Sequence, residues 1–285
     1  MVPLSQAMQK LRVSVVQYLN TAPLVWGFLH GPQQGQAELS FTVPSGCAEA
    51  LRTGAADVGI IPSIAYQTIP GLKIIPGVAL VAHGSVESVL LVSRVPAAEA
   101  RTVALDQSSQ TSAALVRILF ARHWKTEPHY VSAVPDLEAM LARADAALLI
   151  GDPALQFALN SVAQHAREHL GQLFVYDLAA EWHHLTGLPF VFALWAVRGT
   201  KATPEASGEL ARLFIGSREF GMARLDDIVA AAALQLNLPP AGLARYLSDS
   251  VRFSFDDDAR AGLDAFYRAA HELGLIPPPR PLEFV

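Results

Sequence analysis

The chain has 285 residues, a formal net charge of −5 and an isoelectric point near 6.0. That excludes the basic footprint of a nucleic-acid-binding protein. Apolar residues make up 52% and charged residues 16%, which excludes a disordered chain and supplies a core for one large domain or two small ones. The single cysteine, Cys47, permits neither an internal disulfide nor a cysteine metal cluster. Mean hydropathy is high, +0.30. The longest apolar run, residues 187–197, nevertheless contains Pro189 and stops at Arg198. It falls short of the ~18 residues that read as a spanning helix, so no membrane association is expected. Met1 to Lys10 lacks the apolar centre of a signal peptide, and the expected compartment is the cytoplasm.

In chain order, short β-branched runs predict strands at Arg12–Gln17, Leu39–Val43, Val58–Ile61 and Ser88–Ser93. A helix over Ser45–Thr53, with Ser45 at the N-cap and Glu49 in its first turns, separates the second strand from the third. A second set follows: a strand at Arg101–Asp106, a helix over Ser109–His123, a strand at His129–Val134 and a short helix over Asp136–Arg143. Strands at Ala146–Ile150, Phe174–Leu178 and Phe190–Arg198 complete it. The last third reads as helices over Pro204–Leu225, Leu225–Leu236, Pro239–Asp249 and Ala259–Leu273, stopped by Gly274.

Strands alternating with helices indicate an α/β protein with largely parallel sheets. The order suggests two lobes. The first comprises residues 1–94 and 199–285, the second residues 95–198, and the strands Ser88–Ser93 and Phe190–Val197 cross between them. Ligands of α/β sheets bind outside the carboxyl ends of strands, and clefts between lobes are preferred pocket sites. Both rules select the same loops.

After the first strand, Asn20 and Thr21 offer neutral hydrogen-bonding groups that suit either helix capping or a ligand. Ser109, Gln110, Thr111 and Ser112 open a helix after the Asp106 strand end, where hydroxyls and free backbone N–H groups form a seat for a carboxylate or phosphate, or merely a cap. Ser88 stands just before a crossing strand, facing the cleft. No GxSxG elbow accompanies it, so covalent serine catalysis is not expected. Asp152, after the Ala146–Ile150 strand, suits an acid or base, an acceptor for a ligand hydroxyl, or an N-cap before Pro153. Glu181, His183 and His184 are close in sequence, but adjacent histidines on a helix cannot face one ion, and HExxH is absent, so no metal is expected. The phosphate-binding glycine motifs of nucleotide enzymes are missing as well.

Taken together, several segments resemble the MqnA-type chorismate dehydratases of the futalosine route to menaquinone. They are Tyr18-Leu19-Asn20-Thr21-Ala22-Pro23-Leu24, Val43-Pro44-Ser45-Gly46 and Gly54 to Pro62, followed by Ser108 to Ser112, Leu149 to Leu155, and Glu181-Trp182 with Thr186 to Ala193. They run in the family's order from residue 12 to about residue 198. The resemblance implies a type II periplasmic-binding-protein fold, a cofactor-free enzyme and chorismate as small-molecule substrate. It assigns Asn20 and Ser88 to catalysis, and Thr21, Ser45, Ser109, Gln110, Thr111, Ser112 and Asp152 to substrate binding. A related MqnD-type cyclase family shares the fold. Its first loop is expected to read closer to Ser-Pro-Cys-Pro-Asn-Asp-Thr, whereas this chain has Tyr18 to Leu24. A non-catalytic cytoplasmic binding protein for a small carboxylate is the alternative from another class, because fold does not fix function.

The implied reaction removes water from chorismate to give 3-[(1-carboxyvinyl)oxy]benzoate. Apart from Asp152, the matched loops contain no evident base. The expectation is therefore substrate-assisted elimination, with the substrate's own enolpyruvyl carboxylate taking the C3 proton and the protein supplying geometry.

Overall fold

The computed structural model describes residues 10–160, 171–202 and 204–285. The segment read for a signal peptide lies, except for Lys10, outside the described residues. Among the described residues, ten strands form two five-stranded sheets. The first sheet contains β1 (Leu11–Val16), β2 (Ala37–Thr42), β3 (Val58–Pro62), β4 (Leu72–Ala82) and β10 (Phe190–Arg198), in the order β2-β1-β3-β10-β4. The second contains β5 (Val89–Ser93), β6 (Thr102–Asp106), β7 (His129–Ala133), β8 (Ala146–Ile150) and β9 (Phe174–Asp177), in the order β7-β6-β8-β5-β9. Each sheet anchors one α/β lobe, and every residue of β3, β5 and β8 is buried, as expected for strands covered on both faces.

Two expectations change. Neither β5 nor β10 crosses between lobes: β5 pairs with β8 and β9, and β10 with β3 and β4, all antiparallel. The chain crosses instead in the loops 83–88 and 187–189, one strand earlier than expected at each passage. The sheets are therefore mixed, with parallel pairs β1–β2, β1–β3, β6–β7 and β6–β8 beside the antiparallel ones.

The second change is β4, which the sequence reading left out. Its Pro76-Gly77 pair looks like a turn. Here it forms a bulge: the pairing with β10 jumps from Leu194–Ala79 to Ala196–Ile74, and Gly77 sits at φ +76°. A second irregularity lies between Val191 and Ala193, and Phe192 of this bulge borders the cleft. Re-aiming one side chain in this way is a common use of β-bulges.

The C-terminal helices wrap both lobes. The Pro204–Met222 helix packs on the Ala22–His30 helix, and Ser217 Oγ donates to the Leu24 carbonyl at 2.8 Å. The Asp257–Glu272 helix packs against β10 and against the Gln110–Leu119 helix of the second lobe. Asp256 caps it by accepting from the Ala259 N–H, so the helix starts two residues before the expected Ala259.

Candidate active site

The carboxyl ends of β1, β3, β6 and β8 point toward one another, as do the amino ends of β5 and β10. Between them lies a cleft. Asn20, Ser88, Ser109, Gln110, Thr111 and Ser112 all line it, together with Tyr18, Gly151 and an apolar wall that includes Val86, Leu80 and Phe192. Six of the nine site residues expected from sequence thus converge.

The other three do not reach the cleft. Thr21 is buried, and its hydroxyl is tied to the Val16 and Tyr18 carbonyls at 2.6 and 2.8 Å, so it holds the loop in shape. Ser45 is not an N-cap: the helix runs Pro44–Thr53 with Val43 at the cap and Pro44 in its first turn. Proline needs no N–H partner there, which moves the start one residue back. The neighbouring Pro44, not Ser45, borders the cleft. Asp152 also lies within the first turn of its helix, Gly151–Leu159, and caps nothing there. Its Oδ1 accepts from the Leu19 N–H at 2.9 Å, and Asp152 lines a neighbouring cavity that Tyr18 also borders. Burial pushes its carboxyl up to about 6, against the pull of the Leu19 bond.

Each polar group of the cleft has a visible support. Asn20 rides on a 3-10 turn, Leu19–Thr21, and its Oδ1 is buried without a partner. A buried acceptor left unpaired is costly, and because Asn20 also lines the cleft this atom has bonding capacity left for a ligand there. Ser88 follows Glu87, which adopts φ +61°, a strained left-handed conformation for a non-glycine residue. Asp177 holds that strain: its Oδ2 accepts from Ser85 Oγ, the Val86 N–H and the Glu87 N–H at 2.6–2.8 Å. Its Oδ1 caps the Leu178–Thr186 helix.

Ser109 is the N-cap of the Gln110–Leu119 helix, yet its side chain makes no capping bond. Ser109 and Ser112 both line the cleft at the start of this helix. The helix dipole adds partial positive charge there. Gly151, at φ +62°, forms the floor: a β-carbon here would stand 2.5 Å from the Tyr18 ring.

Four hydrogen bonds join the lobes around the cleft, one of them between the Ser63 and Thr111 hydroxyls at 3.4 Å. The Leu19 N–H donates to Asp152, the Ser45 N–H to the Ser108 carbonyl at 3.1 Å, and the Ile64 N–H to Thr111 Oγ1 at 3.3 Å. The lobes are closed on each other, and Thr111 does double duty as latch and lining.

Among the described residues lining the cleft, Tyr18 is the one titratable side chain, and burial raises its phenol further. No lysine, arginine, histidine or carboxylate lines it among those residues. Elsewhere, Glu181 pairs with His123 Nε2 at 2.8 Å, and no three His, Cys, Asp or Glu side chains among the described residues are grouped to hold a metal ion. No helix among the described residues is long and apolar enough to cross a membrane.

Of the residues that sequence reasoning missed, Tyr18, Gly151 and Phe192 lie in or beside the matched loops, and the most distant come from the C-terminal third. Tyr246 donates its hydroxyl to Ser88 Oγ at 2.8 Å, and Val251 lines the cleft. They carry no local motif, and they meet the site only across about 160 positions of chain.

Two α/β lobes closed over a cleft define a fold class, that of the periplasmic binding proteins. A crystal structure of an Archaeoglobus fulgidus protein superposes with a TM-score of 0.77 at 20% identity, covering 95% of this chain and 100% of that one. The periplasmic aliphatic sulphonate binding protein of Escherichia coli superposes with a TM-score of 0.62 at 16% identity, covering 98% and 94%. Within that class the chain belongs to the menaquinone biosynthesis family, whose model it matches over residues 11–272. A chorismate dehydratase of Thermus thermophilus is 31% identical over 266 residues, covering 91% of this chain and 93% of that one. A second chorismate dehydratase, from Campylobacter jejuni, is 27% identical over 112 residues, covering 39% of this chain and 46% of that one.

Proposed function

We propose that this protein is a carbon–oxygen lyase that converts chorismate to 3-[(1-carboxyvinyl)oxy]benzoate and water, using groups of the substrate as well as its own. The observation that carries the reading is the chemistry of the cleft: neutral donors and acceptors converge, and no carboxylate or imidazole among the described residues stands where a C3 proton could be taken. The near full-length likeness to a chorismate dehydratase supports the choice of substrate.

The reaction breaks the C3–H and C4–O bonds and forms C3=C4, completing an aromatic ring. The C3 hydrogen is acidified through the C1=C2 bond by the ring carboxylate. The enolpyruvyl group is joined to C3 through its ether oxygen, which brings its carboxylate within reach of that hydrogen; the carboxylate takes the proton, which leaves with the C4 hydroxyl as water. A cleft without arginine or lysine keeps this carboxylate basic, because a guanidinium partner would lower its proton affinity. Ser109, Gln110, Thr111 and Ser112 at the helix start, with Ser88, hold the substrate carboxylates through neutral donors. Asn20 aligns the departing C4 hydroxyl, where its buried, unpaired Oδ1 and its amide group find partners. Asp152 is a scaffold residue that links Leu19 to the second lobe.

The test is to incubate the protein with chorismate and follow the aromatic product by absorbance and chromatography. Tight binding of chorismate without product would instead establish a binding protein, and no binding would reject both readings.

A further inference from the structure

Ser88 depends on a residue from the far end of the chain. Tyr246 opens a π-helical turn, Tyr246–Ser250, that follows the Pro240–Arg245 helix. Its ring is 1% exposed and its hydroxyl donates to Ser88 Oγ. The turn is fastened to the loop that carries Ser88: Arg245 donates to Glu87 Oε2 at 3.2 Å, and Ser250 Oγ donates to Glu87 Oε1 at 3.1 Å. Asn20 lies beside the same phenol.

Burial raises the Tyr246 phenol far above its ordinary value, so it keeps its proton and remains a donor. A serine hydroxyl that accepts from a fixed donor has its own hydrogen left to give. Ser88 lines the cleft, so that hydrogen is available to an acceptor inside it. Without the phenol, the Ser88 hydroxyl is free to turn and satisfy itself elsewhere.

We propose that Tyr246 is a positioning residue that fixes Ser88 as a hydrogen-bond donor to an anionic oxygen of the bound ligand. The proposal rests on the reading that the cleft holds chorismate. The carboxylate charge is present in the ground state and the transition state alike, so the phenol acts chiefly on binding.

A double-mutant cycle with Tyr246→Phe and Ser88→Ala tests it. Phe keeps the ring and its packing, so the fold stands, which a melting curve verifies. Tyr246→Phe is expected to raise KM for chorismate about tenfold or more with kcat little changed, the scale of one hydrogen bond to a charged group. In the Ser88→Ala background the same change is expected to have almost no effect. Unchanged KM, or equal losses in both backgrounds, overturns the proposal, because Tyr246 then acts only as packing or acts independently of Ser88. The same cycle is read by calorimetry with 3-[(1-carboxyvinyl)oxy]benzoate as the probe. A wild-type protein that binds the probe with Tyr246–Ser88 coupling but does not turn over chorismate refutes the activity and supports the positioning role. Absence of coupling with both ligands refutes the positioning role whatever the activity.

Discussion

Two cavities meet at Val16 and Tyr18. One collects hydroxyls and the amide side chains of Asn20 and Gln110; the other contains Asp152, whose carboxyl is pushed up to about 6. On proton affinity alone, Asp152 would be the natural base. Its position argues against that role: Asp152 lines the second cavity and is absent from the lining of the first, and Tyr18 borders both. A perturbed carboxyl next to a pocket is thus a different thing from a carboxyl in it.

The contrast can be broken most sharply at Asn20. Asn20→Ala is expected to lower kcat by about 10²–10³-fold, the usual loss for one aligned donor at a reacting oxygen, with KM moving much less. Saturation kinetics with chorismate measure it, and a wild-type kcat would remove Asn20 from the chemistry. Gly151→Ala crowds Tyr18, which borders both cavities. The φ of +62° and the 2.5 Å approach to Tyr18 predict a loss of about 1–3 kcal/mol in unfolding free energy, measurable by denaturant titration, together with poorer turnover.

The third handle is pH. The folded-state carboxyl of Asp152 lies above the ordinary 3.8, so its ionisation opposes folding. Its stabilising effect is complete below the unfolded value and is lost as pH rises through about 6. Asp152→Asn removes this dependence and keeps an oxygen to accept from Leu19. Relative to wild type, the variant is expected to gain about 2 kcal/mol of stability between pH 4 and 7. A parallel pH profile for both proteins would show that Asp152 is not the titrating group. The smallest effect is the most diagnostic. Asp152→Asn is expected to leave kcat within a few-fold, whereas loss of a general base removes about 10²–10⁴-fold. A nearly dead variant that still binds chorismate would falsify the substrate-assisted reading.

How far the sequence could carry this site depended on how local each signal was. β8 and β10 were readable to the residue because uninterrupted apolar runs with clean stops need no partner to be recognised. β4 was not, since Pro76-Gly77 is read locally as a turn and only pairing with β10 turns it into a bulge. Asn20, Ser88 and the Ser109–Ser112 stretch were readable because loops at strand ends carry their polar groups in short, ordered strings. As caps, Ser45 and Asp152 each lie two positions too late, the observed caps being Val43 and Ile150, because helix ends are the least local part of the signal. Tyr246 was out of reach: a tyrosine in a helix of ordinary composition announces nothing until the fold brings it to Ser88.

Three of the four bonds that close the lobes share one property. In each, the donor is a backbone N–H of the first lobe, at Leu19, Ser45 or Ile64, and the acceptor belongs to the second. Every amino acid except proline carries that donor. At Leu19, Ser45 and Ile64 the first lobe's share of the clasp is therefore written in the main chain, so replacing any of these side chains by another residue except proline leaves the donor in place. Ser63 is the exception, since it meets Thr111 through its side chain.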